Sequence, residues 1–417
     1  MTTAQSYRLI CLLILVAIPV YSRHSWPSTP CPNRCKCYRN TDQLKVLNCS
    51  SSGLMQFPNV SRIPFDVNII DVSTNFIEFI PDDVNMHQLH ELVALDLSAN
   101  FLSNFTRLQI PTLSTLDLSN NYITELSDAV FSGVSALRNL NLSGNRLTVI
   151  EAAAFKGLVS LWHLDLSRNK LISLPVLDRL HRLIEVYNPI KFIREGDFTS
   201  LPNLRRIDLS RTRIEIVEEG GFANLPSLAW LSLNDNPRLV FLHPESFKNL
   251  PSLSTLFLHN SNLSTIHNVY TKLPALQNWT LYGNPLVCDC NMKWLKEYIN
   301  KDSAKHFNRL LCYPEGRGKL QLVRNVKFDD HCLPRIVHCP SMVQLYEGQL
   351  LKLSCQAIGN PVPKVHWYFP KTEKIISRSD AAHIENVNRA HGGVYEFVAE
   401  SSDGIVRHQV EVKVLFL

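Results

Sequence analysis

Three kinds of residue in this 417-residue chain have a type and spacing that could do chemistry. Cysteines can form disulfides or hold zinc, asparagines in Asn-x-Ser/Thr can accept glycans, and regularly spaced aromatic and basic side chains can bind a partner. Of the 11 Cys, Cys11 stands in an apolar leader and the other ten fall into three clusters. The first is Cys31-Pro32-Asn33-Arg34-Cys35-Lys36-Cys37 with Cys49 downstream; the second is Cys288-Asp289-Cys290 with Cys312 and Cys332; the third is Cys339 with Cys355. Four thiolates at such spacing also suit zinc, but an exported chain oxidises them, so disulfides are expected. Spacing alone leaves three pairings for each four-Cys cluster. The sequons are Asn48, Asn59, Asn104, Asn141, Asn262 and Asn278, expected glycan acceptors in an exported protein.

Catalytic chemistry has no comparable signature. There is no G-x-S-x-G, no H-E-x-x-H and no Gly-rich phosphate loop, and the 15 His are dispersed. Neither an enzyme nor a cofactor is expected. A net charge of +5 is too small to call for nucleic acid.

The elements that must position these residues announce themselves through a repeated sentence, L-x-x-L-x-L-x-x-N-x-L. It reads Leu92-Leu95-Leu97-Asn100-Leu102, then Leu113-Leu116-Leu118-Asn121-Ile123, Leu137-Leu140-Leu142-Asn145-Leu147 and Leu161-Leu164-Leu166-Asn169-Leu171. A looser copy starts at Val67, and later copies start at Leu204, Leu228, Leu253 and Leu276, giving about ten units. These are leucine-rich repeats: each unit presents an apolar edge that it buries only against a neighbour. The expected fold is an α/β solenoid with a concave sheet of parallel strands. Phe131, Phe155, Phe198, Phe222 and Phe247 recur at a position suited to the convex half of the core. The ladder Asn should satisfy backbone groups of the adjoining turn, which Thr212 and Ser261 can do only in part. Between Asn169 and Asn188 the step shrinks to 19 residues, and Leu183-Ile184-Glu185-Val186 fits only with one residue deleted. A kink is expected there.

An open solenoid exposes an apolar cross-section at each end, so both ends need caps, and small caps need cross-links. Domain bounds follow: a leader at 1–22 with Arg8 before the run Leu9–Ile18, an N-terminal cap at 31–65, repeats at 66–286, a C-terminal cap at 284–334 and a further module at 335–417. The leader's apolar run is shorter than the roughly 20 residues of a membrane span, which favours a signal peptide cut after Ser22. No later run is long enough to span. The chain therefore reads as secreted or as the ectodomain of a single-pass plasma-membrane protein; an end on the strand-like Val412–Leu417 favours the ectodomain.

Residues 335–417 alternate in strand fashion and resemble an immunoglobulin sandwich. That resemblance places Cys355 on the second strand and Trp367 on the third, packed over an inter-sheet bond. The partner Cys is missing: Tyr395-Glu396-Phe397 puts Phe397 at its position. If residues 339–346 form a first strand that turns at Glu347-Gly348 into the second, Cys339 falls nearly opposite Cys355. A same-sheet disulfide is then expected; two buried free thiols are the alternative.

The order of modules marks the class of extracellular leucine-rich-repeat and immunoglobulin proteins. Asn188-Pro189-Ile190, Asn236-Pro237-Arg238-Leu239, His243-Pro244-Glu245-Ser246-Phe247 and Val323-Arg324-Asn325-Val326-Lys327-Phe328 before Cys332-Leu333-Pro334 resemble the neuronal leucine-rich repeat family. This likeness covers about 180–417. It implies cell-surface recognition, adhesion or receptor modulation with a protein ligand; a secreted matrix or decoy protein binding a growth factor or matrix ligand is the alternative. Likeness to known repeat caps implies the pairs Cys31–Cys37, Cys35–Cys49, Cys288–Cys312 and Cys290–Cys332. Three departures stand against the family: fewer repeats, Phe397 in place of Cys, and no fibronectin type III module or membrane span by Leu417.

Alternation along a strand turns the x residues of L-x-x-L-x-L toward the concave face. Two candidate groups result: Arg138, Trp162, His163, Arg168, Arg205, Arg206 and Arg211 in the middle repeats, and Trp230, Phe257, His259 and Tyr282 in the last ones. Trp, Tyr and Arg are favoured interface anchors; a solvated face that binds nothing is the bland reading. A sulfated glycan is a weaker candidate partner than a protein. Glycans on Asn141 and Asn278, also at concave positions, would leave only part of the face open.

Overall fold

The computed structural model describes residues 26–415 except 28–29, 81–85, 106, 176–181, 185–186, 199–200, 301–306, 315–317, 330–331 and 360. The leader at 1–22 lies outside the described residues. Contacts divide the chain into two units, one of 1–190 with 197–212 and 225–228, the other of 191–196 with 213–224 and 229–417.

In the first unit, strand Lys36–Arg39 pairs antiparallel with Lys45–Asn48, which starts a parallel ladder. The ladder continues through Ile69–Asp71, Ala94–Asp96, Thr115–Asp117, Asn139–Asn141, His163–Asp165, Arg182–Ile184 and Arg206–Asp208. Each strand is three residues long because only the middle Leu of L-x-x-L-x-L-x-x-N must lie in extended backbone before the chain turns. That Leu is fully enclosed: Leu116, Leu140 and Leu164 have no accessible surface. The turn that follows has one recurrent feature. The residue before every ladder position, from Thr74, Ala99 and Asn120 to Asp235, Asn260 and Gly283, has a positive φ of 51–71°. At Gly144 the preceding repeat's Asn120 side chain fills the space a Cβ would need, so glycine combines the left-handed backbone with the close approach.

The ladder Asn binds its neighbours on both sides. Asn100 donates through Nδ2 to Val72 O at 3.0 Å and Leu97 O at 3.1 Å, and its Oδ1 accepts from Ile77 N at 3.1 Å. Asn121, Asn145 and Asn169 repeat the arrangement. Thr212 reaches Leu209 O at 3.2 Å, and Ser261 reaches Leu233 O at 3.3 Å while accepting from Asn236 N at 3.4 Å. The Ser261 hydroxyl thus links adjacent turns.

The short unit keeps register. Arg182 pairs with His163 and Arg206, and Leu183 with Leu164 and Ile207. Leu183 precedes Asn188 by the same interval as Leu164 precedes Asn169, so no residue is deleted between strand and ladder position. The shortening comes earlier, at positions that include 176–181, outside the described residues. Glu185 and Val186 lie outside the described residues.

The second unit carries the last strands, Trp230–Ser232, Thr255–Phe257 and Asn278–Thr280, again parallel and in register. Its convex side has the two-residue strands Phe192–Ile193, Ile216–Val217 and Phe241–Leu242, with Phe222 and Phe247 stacked at 6.0 Å. Among the described residues the α part of the expected α/β fold is confined to helix Lys293–Ile299 in the C-terminal cap. That cap is aromatic. Trp279 replaces the middle Leu of the last repeat, packs at 4.3 Å from Phe307, and donates its indole N–H to Tyr298 Oη at 3.1 Å. Disulfides join Cys31 to Cys37, Cys35 to Cys49, Cys288 to Cys312 and Cys290 to Cys332.

The immunoglobulin module is a β-sandwich. One sheet runs Met342–Tyr346, Gly404–Leu415, Gly393–Ser401, Lys364–Phe369, Lys374–Ser377; across from it lie the pairs Leu351–Ser354 with Ala381–Ile384 and Arg335–His338 with Gln356–Ile358. Cys339 is bonded to Cys355, but not for the reason expected from sequence. Residues 342–346 do not pair with the second strand; they cross and run parallel to Gly404–Leu415. Cys339 reaches Cys355 because Arg335–His338 pairs antiparallel with Gln356–Ile358, just beyond the two cysteines. Phe397 lies opposite Trp367 in register, with ring centroids 5.1 Å apart and both side chains fully buried. Tyr395, two residues earlier, donates its hydroxyl to His391 O at 2.8 Å, a corner that recurs in this fold; burial pushes its pKa up to about 12. Ile358 of this module also joins Ile216 and Phe241 in a buried apolar cluster with Val337 and Phe192 packed on it, so the sandwich shares core with the convex strands.

Candidate functional site

The last repeats bring four concave residues into one aromatic run. Trp230 and Phe257 meet edge to face at 5.6 Å, Phe257 and His259 edge to face at 6.0 Å, and His259 stacks on Tyr282 at 4.6 Å. The cause is the register: Trp230 pairs with Thr255, so Phe257 lies two positions along the neighbouring strand; Phe257 and His259 are two residues apart in one segment, and the Phe257–Thr280 register brings His259 opposite Tyr282. Tyr282 is 55% exposed, leaving ring surface for a partner. His259 Nδ1 lies 2.7 Å from Thr280 Oγ1, and burial lowers its pKa. A neutral imidazole at physiological pH suits an apolar, aromatic contact face. Asn278, exposed and paired with Thr255, borders the run, so a glycan there would limit its approach from one side.

The basic group in the first unit does not form one patch. Arg138, Trp162 and Arg205 immediately precede their strands; His163 and Arg206 stand on the strands; Arg168 and Arg211 occupy the left-handed position after them. Trp162 and Arg168 are six positions apart in sequence, so they sit at opposite ends of the strand. Arg206 is half-buried and 3.6 Å from Asp208 in an ion pair. Trp162 is 44% exposed.

Two groupings escaped the sequence reading. Phe76, Phe101 and Tyr122, the residues just after three successive ladder Asn, stack at 5.9 and 5.4 Å, and Arg146 at the next equivalent position lies 4.2 Å over the Tyr122 ring. At the left-handed position, Arg168 and Arg211 each lie 5.6 Å from the centroid of the Tyr187 ring between them. The signal was present as N-F, N-F, N-Y, N-R, N-K across the repeats, at a position that neither the strand alternation nor the ladder rule covers.

The sequons divide in two. A column of acidic or amide side chains runs through the first unit, and each Oδ1 accepts from the backbone N–H two residues on: Asn48 from Ser50, Asp71 from Ser73, Asp96 from Ser98, Asp117 from Ser119, Asn141 from Ser143, Asp165 from Ser167 and Asp208 from Ser210. The turn uses an Asp or Asn that accepts from the backbone N–H two residues on, and Ser stands at that second position each time, which is also the form of a sequon. Asn48 and Asn141 are therefore accounted for as turn residues, and their Nδ2 groups donate to Asp71 at 3.3 Å and Asp117 at 2.9 Å. Asn59, Asn104, Asn262 and Asn278 are exposed; Asn59 also accepts from Ser61 N–H at 3.0 Å, but at an exposed position outside the column. Site-by-site mass spectrometry of glycopeptides is expected to find these four occupied and Asn48 and Asn141 largely bare; full occupancy of Asn141 would refute this division.

The same column carries a pH dependence. Burial first, then the Asp117 and Asp71 carboxylates, raise Asp96 to about 6, against hydrogen bonds from Ser98. A carboxyl with a raised pKa contributes stability that is fully present below its ordinary value near 3.8 and is lost as pH rises through about 6. Asp96→Asn, made in a host without N-glycosylation so that the sequon it creates stays bare, is expected to raise stability at pH 7.5 by roughly 2 kcal/mol. The gain should vanish near pH 4; an equal gain at both pH values in thermal melts would contradict the assignment.

Among the described residues no group of three or more His, Cys, Asp or Glu could hold a metal ion, and no helix is long and apolar enough to cross a membrane.

Comparison with known proteins agrees with this architecture. The leucine rich repeat family matches residues 111–171, 178–237 and 236–286, and the immunoglobulin domain family matches 334–401. Trophoblast glycoprotein of Macaca fascicularis is 28% identical over 318 residues, covering 73% of this chain and 68% of that protein. Leucine-rich repeat and fibronectin type-III domain-containing protein 4 of Rattus norvegicus is 27% identical over 58% of this chain, a stretch that spans 36% of that protein's length. Among solved structures, a chain in the octameric complex of Latrophilin 3, Unc5D and FLRT2 superposes with a TM-score of 0.53 at 24% identity, over 71% of this chain and 98% of the other, and so shares the fold. Matched repeats, disulfide-capped ends and a matched sandwich together make this chain a leucine-rich-repeat and immunoglobulin-domain protein, similar in sequence to trophoblast glycoprotein.

Proposed function

We propose that the chain is an extracellular protein-binding module for cell-surface recognition or adhesion, with the concave aromatic run Trp230, Phe257, His259 and Tyr282 as its contact face. The observation that carries this reading is the contiguity of the run: four rings in sequential contact supply a rigid, amphipathic surface of the composition that dominates interface energetics. Five disulfides support an oxidising, extracellular setting. The fold shared with a chain of the Latrophilin 3, Unc5D and FLRT2 complex supports a protein partner, since that chain assembles with others. The narrower likeness to the neuronal leucine-rich repeat family, carried by the Asn-Pro and His-Pro-Glu-Ser-Phe segments, favours presentation as an ectodomain and receptor modulation.

The test is a screen of the soluble protein against a library of displayed cell-surface proteins. The partner recovered should bind Trp230→Ala/Phe257→Ala at least about tenfold more weakly, the loss of a hot-spot pair. Undiminished binding by a variant with an unchanged melting temperature would remove this face from the account.

A further inference from the structure

We propose that Arg146, Arg168, Lys170 and Arg211, with Tyr122 and Tyr187 as braces, form a binding site for a sulfated polysaccharide. All four cations are exposed, and all come from the left-handed position or the place just after the ladder position, so they share the end of the solenoid strands remote from Trp162. The aromatic run of the proposed protein contact is a different site.

The geometry favours an extended polyanion over a single anion. Successive repeats are stacked at the ~4.8 Å spacing of a sheet, so Arg168 and Arg211, two repeats apart, stand roughly 10 Å from each other, and Arg146 extends the row by one more repeat. Tyr187 lies between the two arginines, 5.6 Å from each, and Tyr122 lies under Arg146 at 4.2 Å. A guanidinium held beside a ring stays at the surface, and Arg is the side chain best suited to sulfate-like oxygens. Arg211 also reaches the Tyr187 hydroxyl, which fixes that ring and limits the entropy lost on binding.

Sulfated sugar is favoured over nucleic acid by the state of the rings. Single-stranded nucleic acid binds by stacking bases on open aromatic faces, and here the Tyr187 and Tyr122 faces are taken up by arginine. A sulfated chain needs only spaced cations and hydroxyl contacts.

A heparin decasaccharide is the probe, measured against the full secreted chain at physiological salt. The wild-type protein is expected to bind; Arg168→Ala/Arg211→Ala should weaken binding at least tenfold. Lys352→Ala/Lys364→Ala, an equal charge loss on the immunoglobulin module, should change it less than twofold. Tyr187→Leu should weaken binding several-fold, and Tyr187→Phe less. No binding by the wild type, equal losses in the two double variants, or equal binding of desulfated heparin or of a single-stranded DNA of matched charge would each overturn the proposal. Melting temperatures within about a degree of wild type would show that the variants are folded.

Discussion

Replacing Phe397 by Ala is expected to destabilise the immunoglobulin module by about 3–5 kcal/mol, the usual loss for a large aromatic removed from a packed core. Phe397 is fully buried, faces Trp367 in register and closes the space between the sheets that an inter-sheet disulfide ordinarily occupies. Phe397→Cys is expected to do no better. Its thiol would approach Cys355, but that sulfur is bonded to Cys339, so the variant should carry a free thiol and a cavity. Denaturant unfolding followed by Trp367 fluorescence, with thiol counting under non-reducing conditions, checks both. A Phe397→Cys protein as stable as wild type with no free thiol would mean that the sandwich can revert to the inter-sheet bond and that Phe397 is not what holds it.

The second large effect belongs to the Asn ladder. Asn121 donates to Leu97 O at 3.0 Å, Leu118 O at 3.1 Å and Ser119 O at 3.2 Å, and accepts from Leu102 N at 3.0 Å. All of this happens at a buried position. Asn121→Ala strips partners from several backbone groups at once, and each one left unsatisfied costs about 1–3 kcal/mol. A net loss of ~3 kcal/mol is expected, with faster hydrogen exchange at the Leu102 amide and at neighbouring turns. The reverse change tests the same physics: Ser261→Asn supplies the longer amide side chain where a hydroxyl now makes two bonds, and should stabilise by ~1 kcal/mol. If Asn121→Ala were neutral, the ladder would be a consequence of the turn and not its support.

How far the sequence could be read depended on whether one rule governed a position. The inward Leu and the ladder Asn each obey a single local constraint and emerge where the spacing puts them; the cap cysteine pairs came from likeness to known caps, since spacing leaves three pairings per cluster. The short unit misled because its sequence does not repeat the Leu-x-Leu spacing of the others; only the pairing of Leu183 with Leu164 reveals the intact frame. The Cys339–Cys355 pair was reached through the wrong strand, since whether residues 342–346 stay in their sheet or cross depends on the far strand Gly404–Leu415. Asn48 and Asn141 satisfied two rules at once, turn and sequon, and the pattern alone does not rank them. The flank residues Phe76, Phe101, Tyr122 and Arg146 recur once per repeat, too sparsely for helix or strand periodicity to flag. The burial of Ile358 against Ile216 and Phe241 is tertiary throughout and left no mark on either segment.

The concave aromatic run is the central claim, and a glycan placed on it tests it most directly. His259→Asn creates an Asn-x-Ser sequon ending at Ser261, in the middle of the run between Phe257 and Tyr282. Once mass spectrometry shows the new site occupied and the melting temperature unchanged, binding to the partner recovered by the surface screen should fall below detection. Binding at wild-type affinity with that glycan in place would contradict the account.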